Sequence, residues 1–413
     1  MNRDVAYYIR IALLVLVILV ALGLAWWYVF LRGQSSAIEG SDEGRGLGAI
    51  IPSFSSGVGS TLQNVVDGLG FSATNSPRAT KEPARLWQVH TLPTAGHVFL
   101  TGSSTIRFLE RATGYFFSAD PKTGTVPRLT NTLIPQIYEA HGAGNGTFSA
   151  VTLGQDGTPS YQILSVDTAT SSNPFFPITQ QTLGRGLFGV WIHDGGTKMV
   201  TAVDNGRSGV TFVFSNLDGT NPSTLFSSII NYWNFEWLRD GRMILTEAAG
   251  TKILGTSYEL TANDTSAIAR RVEGLTVRAA ASSTAVLIGS DNGDVRLAVR
   301  ANTDATLVTL PIRTTAEKCA WGKSGNGVVA YCAVPETISS SQFLNDWYRG
   351  ALHASDTVWK IEPGAARAEK WYSPPGEAGV SLDMEELEVS DDGKYLAFRN
   401  ATDKSLWILR LDK

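Results

Sequence analysis

The stretch EELEVSDDGKYLAFRNA (385–401) reads as two short strands meeting at a tight polar turn, with Asp392–Gly393 supplying the positive-φ position such a turn needs. The pattern recurs at GVWIHDGGTKMVTAVD (189–204), FEWLRDGRMILTEAA (235–249), LTVRAAASSTAVLIGSD (275–291) and EKCAWGKSGNGVVAYCAVP (317–335). QIYEAHGAGNGTFSAVTLG (136–154) is a looser copy, and GHVFLTGSSTIRFLERA (96–112) has the least clear turn. A second strand pair follows each hairpin, beginning near 114, 160, 209, 252, 294, 356 and 405. The spacings are 46, 49, 43, 42, 62 and 49 residues. A four-stranded unit repeated every roughly 40–50 residues predicts an all-β, seven-bladed β-propeller. Weak single units leave six or eight blades compatible with the pattern.

The ends of the repeat predict how the ring closes. The last unit stops at SLWILRLDK (405–413), one strand short, while RLWQVHTLP (85–93) precedes the first unit as a spare strand. Pairing the two completes the last blade and removes the sheet edges at the seam.

Composition agrees with a large β domain. The chain has 413 residues, 43% of them hydrophobic, 41 Gly and a net charge of −4. A core of this size excludes wholesale disorder, and mild acidity gives no electrostatic reason for nucleic acid as a partner. Two cysteines exclude a disulfide scaffold and a multi-cysteine metal site.

Residues 11–31, IALLVLVILVALGLAWWYVFL, carry no charge and are bracketed by Arg10 and Arg32. A helix over them is about 31 Å long, enough for the hydrocarbon core, and its length and flanks fit an uncleaved anchor better than a signal peptide. The expected order is a cytoplasmic tail (1–10), a single transmembrane helix (11–31), a Gly/Ser-rich linker (33–82) and an extracytoplasmic propeller (84–413). The positive-inside bias behind that orientation is weak. The linker's reach is roughly 35–45 Å.

EVSDDGKYLAFRNATDKSLWILRLD (388–412) resembles the TolB-type, WD-like propeller repeat, roughly S-P-D-G-K-x-L-A-F…D-x-L-W-x-x-D. Ser390, Asp391, Asp392, Gly393 and Lys394 match its turn, with Asp391 where Pro is usual. More broadly, RFLERATGYFFSAD (107–120), KCAWG…YCAVP (318–335) and NDWYRG…DTVWKI (345–361) are similar to uncharacterised membrane-anchored propeller proteins of small-genomed bacteria. The resemblance spans residues 84–413 and implies fold and address but no activity.

Cys319 and Cys332 flank the turn KSGNG symmetrically, so hairpin register opposes them and predicts a cross-strand disulfide outside the cytoplasm. Two buried thiols are the alternative. The same unit holds the longest insertion, ETISSSQFLNDWYRGALHASD (336–356). It belongs on the face that carries the links between blades. Phe343, Asn345, Asp346, Trp347, Tyr348 and Arg349 in the insertion, with Tyr232, Trp233, Trp371 and Tyr372 in those links, are the candidate partner-binding residues. The competing reading is that Phe343, Trp347 and Tyr348 cap the adjoining blade.

Catalytic signals are sparse. None of His90, His97, His141, His193 and His353 pairs at metal-ligand spacing, and solvated turn or strand positions account for them. Asp391 and Asp392 read as turn formers, and GRGLFG (184–189) precedes no helix. NGT (145–147), NDT (263–265) and NAT (400–402) are sequons only in a glycosylating host. No catalytic, cofactor-binding or metal residue is assigned. The expected function is a non-catalytic envelope scaffold that presents a loop face to a protein or glycan. The alternative is a glycan hydrolase or lyase at the channel mouth, which requires Asp, Glu, His or Arg side chains to converge there. The sequence names neither the partner nor the oligomeric state.

Overall fold

The computed structural model describes residues 82–412, except 155–156, 168–174, 207–208, 262–263 and 326. The predicted tail, membrane span and all but the end of the linker lie outside the described residues. Among those described, no helix is long and apolar enough to cross a membrane.

Seven antiparallel sheets follow one another along the chain and form the predicted seven-bladed propeller. Blades 1 to 6 span 94–119, 137–182, 187–228, 233–273, 276–309 and 319–372. Each runs outward from its innermost strand in chain order. Blade 1 has three full strands, and isolated bridges from Phe117 to Arg128 and Asp120 to Thr125 stand where a fourth would lie.

Blade 7 closes the ring. Its inner three strands are Met384–Val389, Tyr395–Asn400 and Leu406–Arg410, and its outermost is Leu86–His90 from the other end of the domain. Leu86 lies opposite Leu409 and Trp87 opposite Ile408, in the arrangement expected from the unpaired ends.

The tight turns form for the reason read from the sequence. At the turn of 385–401, Gly393 takes φ 69°, while Asp392 Oδ1 accepts from Lys394 N–H at 3.2 Å and from Ser390 Oγ at 2.7 Å. The apolar sides of the strands pack between blades rather than within them. Seven core packets result, one between each pair of neighbours. The seam packet joins Val89, Ala397 and Leu406 of blade 7 to Phe99, Ile106 and Phe108 of blade 1. Near the axis the innermost strands crowd together. A Cβ on Gly96 would lie 1.8 Å from the carbonyl oxygen of Ala140 in the next blade.

Cys319 and Cys332 are directly opposed and form the disulfide, with Cα atoms 4.0 Å apart. Both are fully buried between blades 5 and 6.

Two stability outcomes follow. Leu409→Ala, in the core behind the seam pairing, should lower unfolding stability by about 2–5 kcal/mol in chemical denaturation, whereas Leu92→Ala, 52% exposed, should stay within about 0.5 kcal/mol. Reduction of Cys319–Cys332, 13 residues apart, should cost about 3 kcal/mol in the same assay.

Candidate functional site: the central channel

The innermost strands enclose a channel. Antiparallel order puts the first hairpin turn of every blade on one face, the turn face. The inter-blade links and the 336–355 insertion lie on the other, the loop face. The loop-face half encloses about 690 Å³ and the turn-face half about 630 Å³.

The loop-face half is rich in carboxylates. Glu139, Glu236, Glu317, Glu385, Glu386 and Glu388 line it, with His97, His141 and Arg278. Three of these glutamates come from one strand, the innermost of blade 7. An ordinary strand would alternate EELE across its two faces. Here the pairing register breaks between Glu385 and Glu388, and Glu386 adopts φ 52°. A bulge re-aims neighbouring side chains, and a non-glycine residue in this conformation stores roughly 1–3 kcal/mol of strain. The bulge brings all three carboxylates to the channel.

The wall around them is tied by ion pairs. Arg399 Nε meets Glu385 Oε1 at 2.7 Å, its Nη2 meets Glu386 Oε1 at 2.6 Å, and its Nη1 donates to the carbonyls of Thr94 and Ala95. Arg278 Nη1 meets Glu236 Oε1 at 3.1 Å, but the buried Oε2 of Glu236 has no partner. His97 is 9% exposed and its Nδ1 also has none. Burial, with Arg399 adding to it, pushes the His97 imidazole down to about 3, so it is neutral. Burial raises Glu386 to about 7 and Glu388 to about 8, against Arg399 and Arg239 respectively.

A bar crosses the turn-face end. Arg239 of blade 4 pairs with Asp194 of blade 3 at 2.8 Å, with Glu388 of blade 7 at 3.4 Å and with Asp391 of blade 7. The guanidinium therefore joins blades from opposite sides of the ring. The channel behaves as a cup whose wider mouth opens on the loop face.

The insertion forms part of that mouth. It folds into the short helix Phe343–Tyr348, with Phe343 and Leu344 buried against Val295 of blade 5. Asn345 accepts from the Thr251 N–H at 3.1 Å, and Asp346 pairs with Arg349 at 2.5 Å. The Trp347 ring lies over Lys318, and Tyr348 donates its hydroxyl to Glu317 Oε2 at 2.8 Å. Enclosure by the surrounding protein, reinforced by Glu317, raises the Tyr348 phenol well above its ordinary value, although 46% of its surface still meets solvent.

The candidate partner-binding residues divide. Tyr232 (74% exposed), Tyr348 and Arg349 are accessible on the loop face, with Trp233 and Trp347 half-buried beside them. Phe343 and Tyr372 are corrected: they are 1% and 4% exposed and fill core packets, so neither presents a surface. Trp371 is half-buried, and its Nε1 donates to the carbonyl of Leu411.

The histidine reading is corrected too. His97 is not solvated but set in the channel wall, and His353 pairs with the fully buried Asp383 at 3.2 Å. Sequence reasoning also missed Glu236, Arg278, Glu317, Glu385, Glu386 and Glu388. One signal was present: three acidic residues in EELE, where an innermost propeller strand should be mostly apolar.

No protein-family description matches the sequence, and no curated protein matches it. Solved structures do match in fold. The Swd1 β-propeller domain from Myceliophteria thermophila aligns with TM-score 0.50 and 10% identity, covering 79% of this chain and 100% of that one. Virginiamycin B lyase from Staphylococcus aureus aligns with TM-score 0.49 and 11% identity, covering 79% and 99%. TolB from Acinetobacter baumannii aligns with TM-score 0.39 and 12% identity, covering 62% and 59%. At these identities the likeness concerns fold alone, and these neighbours are β-propellers, TolB among them.

The raised carboxyls make stability depend on pH. Each binds its proton more tightly folded than unfolded, so the stability it contributes is full below pH 4.5 and is lost as pH rises through about 7 for Glu386 and about 8 for Glu388. The thermal midpoint should fall across this window, and Glu388→Gln should flatten the upper part of the fall. An unchanged slope in that variant would assign the dependence elsewhere.

Proposed function

We propose that this chain is a membrane-tethered, extracytoplasmic propeller that serves as an interaction scaffold and engages an envelope partner at the loop-face mouth of its channel. The observation that carries the reading is the left-handed bulge at Glu386, which sets Glu385, Glu386 and Glu388 into a cup rimmed by Tyr232, Trp233, Trp347 and Tyr348. Strain of this kind persists where surrounding structure holds it, and it concentrates at working sites. Six carboxylates stand against Arg278 as the one Lys or Arg among the described residues lining this half. Aromatic faces at the rim add attraction for cations. The chemistry suits a partner that inserts a positively charged group, such as a lysine or arginine side chain of a basic segment. The membrane address rests on the apolar run 11–31.

One observation favours the enzymatic alternative. Carboxyls at about 7 and about 8 are largely protonated near neutrality, as a general acid must be. Against it, the nearby Glu385, Glu386 and Glu388 are engaged by Arg399 or Arg239, and structural ion-pair networks also shift titrations.

Cross-linking of native membranes followed by recovery of this protein tests the proposal. Tyr232→Ala and Glu386→Gln should each reduce the recovered partner several-fold while leaving the fold intact by circular dichroism. Undiminished recovery in both would move the working surface elsewhere. Turnover of envelope glycans that disappears in Glu388→Gln would support the enzyme instead.

A further inference from the structure

A second cluster lies inside blade 6, outside the channel. Lys318, Asp356 and Asp383 all have fully buried side chains, 0% exposed. Lys318 Nζ is 2.8 Å from Asp356 Oδ2 and 2.6 Å from Asp383 Oδ1. The three residues come from separate elements. Lys318 ends the turn before the innermost strand of blade 6, Asp356 opens that blade's third strand, and Asp383 immediately precedes blade 7. The Trp347 ring covers the amine, 5.0 Å from its centroid. Asp356 Oδ2 also accepts from the Met384 N–H at 2.7 Å, while the buried Asp356 Oδ1 has no partner.

As three ions this arrangement is poor. It buries one excess negative charge and leaves an acceptor unmet, and each buried ion costs several kcal/mol in desolvation. Burial accordingly raises the Asp356 carboxyl toward its protonated form. Burial also opposes the charge on Lys318, but Asp356 and Asp383 outweigh it and hold the ammonium proton, so the amine is freed only by handing that proton to a carboxylate it already touches.

We propose that Lys318 and Asp356 condense into an intramolecular amide, with Asp383 as the proton carrier. Asp383 takes one proton from the Lys318 ammonium. The Nζ lone pair then attacks Cγ of the protonated Asp356 carboxyl. The Met384 N–H faces the oxygen on which negative charge develops. Asp383 passes its proton to the departing hydroxyl and recovers one from the nitrogen. The C–O bond breaks, one water leaves, and the Nζ–Cγ amide remains beside a neutral Asp383. No oxidant, reductant or cofactor takes part. Fixed proximity supplies the drive, since groups already in contact react as though at very high concentration. The product removes both the charge on Lys318 and the need to solvate Asp356. It stands next to Cys319–Cys332, so blade 6 would carry two covalent braces at the root of the insertion.

Intact mass spectrometry of the purified, reduced and denatured full chain tests this. The expected mass is one water below that of the sequence, and proteolysis should yield a branched fragment joining Lys318 to Asp356. Asp383→Asn, folded by circular dichroism, should retain the full mass. A wild-type chain at the full sequence mass overturns the proposal, as does a branch through Asp383 in place of Asp356. The wild-type measurement decides the matter even if the variant fails to fold.

Discussion

Leu86, Trp87 and Gln88 pair with the last strand of the chain, and every other feature of the ring depends on that contact. Blades touch only their neighbours, so the core exists as seven packets between sheets rather than as one mass. Without the seam, blade 7 would expose an edge and the packet between blades 7 and 1 would lose Val89. Closure also fixes how near the innermost strands come to the axis. The approach of Gly96 to Ala140 marks how little room is left between them.

Ring closure then determines the electrostatics of the axis. Side chains on the innermost strands face a narrow water-filled space with protein on every side, so charge there is partly desolvated. The wall answers with arginines shared between blades: Arg399 links the blade 7 glutamates to the carbonyls of blade 1, and Arg239 reaches from blade 4 to blades 3 and 7. These ties serve stability. The bulge at Glu386 adds strain to the strand and delivers charge to the mouth, which is the pattern expected of a surface shaped for binding.

The fold was legible because propeller repeats announce themselves through turn chemistry. DG, GG and NG dipeptides at regular spacing need no tertiary information to be read, and the unpaired strands at the two ends follow from counting. The Cys319–Cys332 pairing was legible for the same reason, since hairpin register is local. The channel was not. Which of Glu385, Glu386 and Glu388 face the axis depends on a register break that no local rule places, and the acidic run looks like an ordinary solvated strand end. Phe343 and Tyr372 show the converse limit: an aromatic residue near a loop reads alike in sequence whether it is displayed or packed, and only the neighbouring blade decides. Lys318 went unnoticed because its two carboxylates lie 38 and 65 residues further along the chain.

The central claim is that the loop face, not the turn face, is the working surface. Photo-reactive residues placed singly at Tyr232 on the loop face and at Lys323 on the turn face, in protein expressed in its own membrane, test this most directly. The account predicts a discrete adduct on irradiation from position 232 and none from position 323. A discrete adduct from position 323 alone would contradict it.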